Sequence, residues 1–196
     1  MTDLLGALAA VLTLVCAGAL AYVHTRPTGY DPVRDAVSDY GVGRYRAWYP
    51  AAAITLGCAG ILLALGLAGT VRPVPLLVVA LLVVFGVSRI AIVRFPVYLD
   101  RRPPIRTGKI HYLLAAIAFI TIAIVAARLP RSVVGDPGWA GISGVLRVVG
   151  LLVVAAAIAT GLGLRIASLR PFFGLLERSL YVAMLTWFLT VSLHIA

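Results

Sequence analysis
Six apolar runs, each close to the length a helix needs to cross a bilayer core, leave this chain few ways to fold. A span takes roughly 20 residues of α-helix. The runs are Leu4 to Val23, Trp48 to Thr70, Val74 to Val93, Ile110 to Ala127, Val145 to Ala167 and Leu180 to Ala196. In hydrocarbon every backbone N–H and C=O needs a partner inside the protein, and a helix supplies its own. The apolar residues come as near-continuous blocks, not at the spacing of a helix with one wet face. Asp, Glu, Lys and Arg make up 12% of the 196 residues, about half of what a soluble domain carries. The expected architecture is all-α: a polytopic membrane protein, one domain over 1–196, built as a single six-helix transmembrane bundle in the cell membrane. The first run is flanked by Asp3, which suits a retained helix better than a cleaved leader.

The second and third runs are joined only by Val71, Arg72 and Pro73, so they are expected to form a tight antiparallel hairpin. Glycines such as Gly57, Gly60, Gly66, Gly69, Gly150 and Gly161 suit close helix packing. Cys16 and Cys58 lie in separate runs with no CxxC, which points to packing, not thiol chemistry. The net charge of +10 does not imply nucleic acid. Its basic residues lie mostly between the runs, where topology and anionic headgroups account for them. Lys and Arg are in excess in the first, third and fifth connections, which places these odd connections in the cytoplasm and both termini outside it.

The longest polar segment follows the first run, Asp31 to Trp48, and holds Asp31, Asp35 and Asp39, three of the seven acidic residues. Their four-residue spacing would stack the carboxylates on one helix face. Asp31 before Pro32 reads as an N-cap, and Gly41 as a left-handed helix end. The plainer reading has Asp31 capping while Asp35 and Asp39 pair with Arg34, Arg44 or Arg46.

An even number of crossings separates the odd connections, so they share one membrane face. That face carries His24, Asp31, Asp35, Asp39, Asp100, His111 and Glu177, seven of the chain's ten carboxylate and histidine groups. Arg89 lies five residues before Arg94, roughly 7 Å deeper in the bilayer at the helical rise. Such a guanidinium either snorkels to the interface or faces the bundle, there to pair with Asp39 or Asp100 or to hold a lipid phosphate. His111, in the first turn of the fourth run, suits a neutral base or hydrogen-bond partner. His24, His111 and His194 have no second ligand at metal-binding spacing, and no cofactor motif is present. Neither metal nor cofactor is expected.

The order of features has a familiar ring. Ser38-Asp39-Tyr40-Gly41 follows the first helix, the second opens on aromatics, and the third ends in Phe95-Pro96 with Asp100 shortly after. Thr107-Gly108-Lys109-Ile110-His111 then opens the fourth. In this the chain resembles the bacterial six-pass family catalogued as domain of unknown function 998, and more distantly the eukaryotic Frag/Dram/Sfk membrane proteins. The resemblance singles out Ser38, Asp39, Gly41, Pro96, Asp100, Gly108 and His111. It implies six helices and a membrane setting but hands over no activity; the eukaryotic proteins' association with lipid homeostasis is analogy. In those proteins the first connection lies outside the cytoplasm, opposite to the orientation that the charge count gives here.

Two functions compete. In the first, a non-catalytic membrane protein binds lipid headgroups, an anionic lipid or a membrane partner through the odd-connection face, with Ser38, Asp39, Arg89, Arg94, Asp100 and His111 as its binding set. In the second, a membrane enzyme acts on a lipidic or isoprenoid, lipid-linked substrate. Asp39 or Asp100 is then acid or base, His111 their partner, and Arg89 or Arg94 the anion holder. The absence of a complete catalytic motif favours the first. Transport is weakest, for want of acidic residues within the apolar runs.

Overall fold
The computed structural model describes residues 1–97 and 106–196. Six α-helices follow one another: α1 Thr2–His24, α2 Trp48–Thr70, α3 Leu76–Ala91, α4 Arg106–Ser132, α5 Ser143–Arg165 and α6 Phe173–Ile195. Each falls in a segment long and apolar enough to cross a membrane, and no strand occurs among the described residues. The protein is an all-α, multi-pass membrane bundle. Each expected run lies largely within one helix. The main difference is α6, which starts at Phe173 and not near Leu180. Glu177 and Arg178 interrupt the apolar run, yet the helix continues through them because both find partners on the first connection.

Neighbours in sequence pack side by side around the bundle, and α6 closes the ring against α1. Helix α2 lies deepest: 56% of its most apolar stretch is buried, against 22% for the span that includes α5. The expected α2–α3 hairpin is present. It packs closely because a β-carbon on Gly57 would sit 2.7 Å from the Gly86 carbonyl oxygen, and one on Gly86 only 2.6 Å from that of Gly57. With neither β-carbon present the backbones can touch. Helices α4 and α5 behave differently along their length. Gly150 lies against the Ala126 carbonyl, whereas a β-carbon at Gly161 would meet nothing within 4 Å. The pair is therefore tight at one end and splayed at the other.

The first connection departs from the expected single helix. Asp31 opens a short turn, closed by the Asp35 N–H donating to the Asp31 carbonyl at 2.8 Å. Ala36 is then extended, with φ −65° and ψ 153°, before a 3-10 helix over Val37–Gly41. An extended residue between them keeps the three carboxylates from stacking. Each instead accepts a nearby backbone N–H: Asp31 from Val33 at 2.8 Å, Asp35 from Asp31 at 2.7 Å, Asp39 from Ala36 at 2.9 Å. Short acidic side chains reach such local donors more readily than a distant arginine head. Among the described residues the one ion pair is Arg34 with Asp31, at 3.6 Å, so Asp35 and Asp39 do not pair with arginine there. Gly41 is not left-handed; that backbone conformation belongs to Gly29 and Gly43, at φ 80° and 85°.

Candidate functional site
A cavity of about 710 Å³ lies where α4 and α5 splay, reaching Arg89 of α3 and Tyr49 of α2. Its volume is that of an ordinary ligand pocket. Most of its wall is apolar, with the small Ala115 and Ala116 of α4 and Ala157 and Gly161 of α5 beside the larger Phe119 and Leu164. Its polar lining comprises Ser38, Tyr49, Arg89, His111, Tyr112, Thr160, Arg165 and Glu177.

Arg89 is the deepest charge. On α3 the buried residues Val78, Leu82, Phe85 and Arg89 recur at helical spacing, so Arg89 shares the face that packs into the bundle. It is 1% exposed, which rules out snorkelling. Its Cζ lies 5.4 Å from the Tyr181 ring centroid and 6.0 Å from that of Tyr49. A desolvated cation over an aromatic face gains about 2 kcal/mol, so the two tyrosines offset much of what it costs to hold an arginine away from water. Its Nε and Nη2 donate to no described residue, and none forms an ion pair with it.

His111 is 2% exposed and stands near the start of α4. Its Nδ1 lies 2.7 Å from the Phe95 carbonyl. A carbonyl only accepts, so Nδ1 carries the proton and Nε2 of the neutral ring is left as an acceptor. The same bond ties the end of the α3 segment to α4. The Tyr49 and His111 ring centroids are 6.2 Å apart.

Glu177 was placed by sequence on this face but in no candidate set. It is 5% exposed, and its Oε2 accepts the Val37 N–H at 2.7 Å. In the structure Glu177 falls at helical spacing with the buried Leu180, Met184, Trp187 and Val191, so it lies on α6's core-facing stripe, which an almost uniformly apolar segment does not show in sequence. Tyr49 and Tyr181, also missed, read as ordinary aromatics until Arg89 is seen between them.

Arg178 fastens the first connection over this cavity. Its Nε donates to His24 Nε2 at 2.7 Å, its Nη1 to the carbonyls of Asp35 at 2.7 Å and Gly174 at 2.9 Å, and its Nη2 to the Tyr40 hydroxyl at 2.9 Å. With Glu177 it holds Ala36 and Ser38 in the cavity wall. His24 Nδ1 bonds the Leu20 carbonyl at 2.6 Å, so its ring is neutral with Nε2 accepting.

Of the expected binding set, Ser38, Arg89 and His111 line the one cavity. Asp39 is adjacent but does not line it. Burial pushes its carboxyl up to about 6; the Ala36 N–H opposes the rise, Asp35 adds to it and Arg178 opposes it. Arg94 is exposed at the end of the 3-10 helix Ile92–Arg94, outside the cavity. Asp100 lies outside the described residues. No three His, Cys, Asp or Glu side chains gather to hold a metal among the described residues.

Fold and site together define an integral membrane protein of six helices, with a buried arginine that has no ionic partner among the described residues at the wall of a cavity between them. Residues 7–194 match the family model described as "Protein of unknown function (DUF998)", and the chain belongs to that family. No curated protein and no solved structure matches it.

Proposed function
We propose that this protein binds an amphiphile whose headgroup contains an anionic group, that group at Arg89 and the hydrocarbon along the crevice between α4 and α5. The observation that carries this reading is a fully buried guanidinium, two of its nitrogens without a described partner, at the wall of a cavity of about 710 Å³. A planar fork of N–H donors in a dry site suits a phosphate or carboxylate, and charge-assisted bonds there are among the stronger ones. The small residues of α4 and α5 leave room for a chain beside that headgroup. In this reading the protein lies in the cell membrane, with the cavity end on the cytoplasmic side, as the surplus of Lys and Arg in the odd connections favours.

Native mass spectrometry after extraction in a mild detergent tests it. Wild-type protein should retain an amphiphile with a phosphate or carboxylate in its headgroup, and folded Arg89→Ala should have lost it. Folded wild-type protein free of any amphiphile would sink the reading.

A second reading, an enzyme on a lipidic substrate, is supported by His111, whose Nε2 is an acceptor in the neutral ring with no donor among the described residues and whose side chain lines the same cavity as Arg89. Here His111 takes a proton from the bound amphiphile, and Asp39, outside the lining, has no direct part. Lipid extracts of cells expressing wild type or His111→Gln would then differ in one product. Identical extracts leave the binding reading alone.

A further inference from the structure
Arg89 is not the only buried ionisable side chain at the cavity wall: Glu177, 5% exposed, lines it too. The two side chains form no ion pair within 4.0 Å although they share one space. Glu177 accepts one hydrogen bond among the described residues, from Val37 to Oε2, while a carboxylate has about four acceptor positions. A ligand with an anion alone would satisfy Arg89 and bring a second negative charge toward Glu177. Ser38 and the Nε2 acceptor of His111 add oxygen and nitrogen lone pairs to the same wall.

We infer that the headgroup is zwitterionic, its anionic group on Arg89 and a primary ammonium on Glu177, with Ser38 and His111 as further acceptors for its N–H groups. Three donors on a primary ammonium match three acceptors. A quaternary ammonium has no N–H to give them, and an uncharged polyol headgroup donates hydroxyl hydrogen bonds to the carboxylate but brings no opposite charge. This rests on the amphiphile reading above and narrows it to an amine-bearing headgroup.

The test is competition. Purified full-length protein is stripped of lipid and offered phosphatidylethanolamine, phosphatidylcholine and phosphatidylglycerol with identical acyl chains, and occupancy is read by native mass spectrometry. A charge-assisted bond of the kind Glu177 would make corresponds to about ten- to a hundredfold in affinity, so wild type should favour phosphatidylethanolamine by that factor. In Glu177→Gln, whose amide oxygen still accepts from Val37, the preference should vanish while binding remains dependent on Arg89. Equal binding of all three by wild type, or preference for phosphatidylglycerol, overturns the ammonium site and leaves the anion site standing. A preference that survives Glu177→Gln does the same. If wild type binds none of the three, the ammonium site falls, while the broader reading is decided by whether the protein as extracted carries any amphiphile.

Discussion

Arg89 is held where a charge is costly, between Tyr49 and Tyr181 and without an ionic partner among the described residues. Replacing a buried charge with an apolar side chain of similar length commonly stabilises. Arg89→Met should therefore raise the stability of the lipid-stripped protein by about 1–2 kcal/mol, roughly 2–8 °C in Tm for a chain of this size, while abolishing anion binding. A thermal melt in detergent measures it, and a lower Tm would mean that the guanidinium holds the bundle together. Asp39 makes a separate prediction. Its carboxyl is raised from 3.8 to about 6 in the folded protein, so between those values the fold keeps a proton that the unfolded chain has released. Stability attributable to Asp39 must then fall as pH rises through that window and stay level above it. Asp39→Asn, whose amide oxygen still accepts from Ala36, removes this contribution. The wild-type drop in Tm between pH 4.5 and 7 should shrink in the variant; an unchanged drop would show that Asp39 does not titrate there.

At the scale of helices, two glycines should answer the same substitution in opposite ways. Gly86 lets α3 touch α2 and lies one turn before Arg89, so Gly86→Ala forces the backbones apart. Overpacking of this kind costs about 1–3 kcal/mol, and by moving Arg89 it should also weaken amphiphile retention. Gly161 faces open space where α4 and α5 splay, so Gly161→Ala should stay within about 0.5 kcal/mol of wild type. The larger Gly161→Phe should fill the crevice, lowering retention without lowering Tm. Equal Tm losses for Gly86→Ala and Gly161→Ala would contradict the described helix contacts.

For the molecule as a whole, the arrangement fixes which connections share a membrane face, and charge supplies the side. In a background lacking Cys16 and Cys58, cysteines at the exposed Arg46 and Ser168 should label from one side of intact cells, and one at Val134 from the other. The Lys and Arg surplus predicts that the first pair is reached only from the cytoplasm. Labelling of Arg46→Cys by an impermeant reagent outside intact cells would reverse the orientation and leave the fold untouched.

The apolar runs alone determined six spans, because in hydrocarbon a helix is the one single-segment way to satisfy a backbone and its length is set by the bilayer. The parity of those spans already brought Ser38, Arg89, His111 and Glu177 toward one end. What the runs could not convey is rotation about each helix axis, since a segment apolar all round carries no stripe to say which side faces a neighbour. Only tertiary packing turned Arg89 inward against two tyrosines, left Arg94 outside, and carried α6 back through Glu177 to the cavity wall. The same holds for the first connection, where regular acidic spacing suggested a helix. Its carboxylates were instead captured by the nearest backbone N–H groups, and such local competition is decided by the path of the chain, which spacing does not reveal.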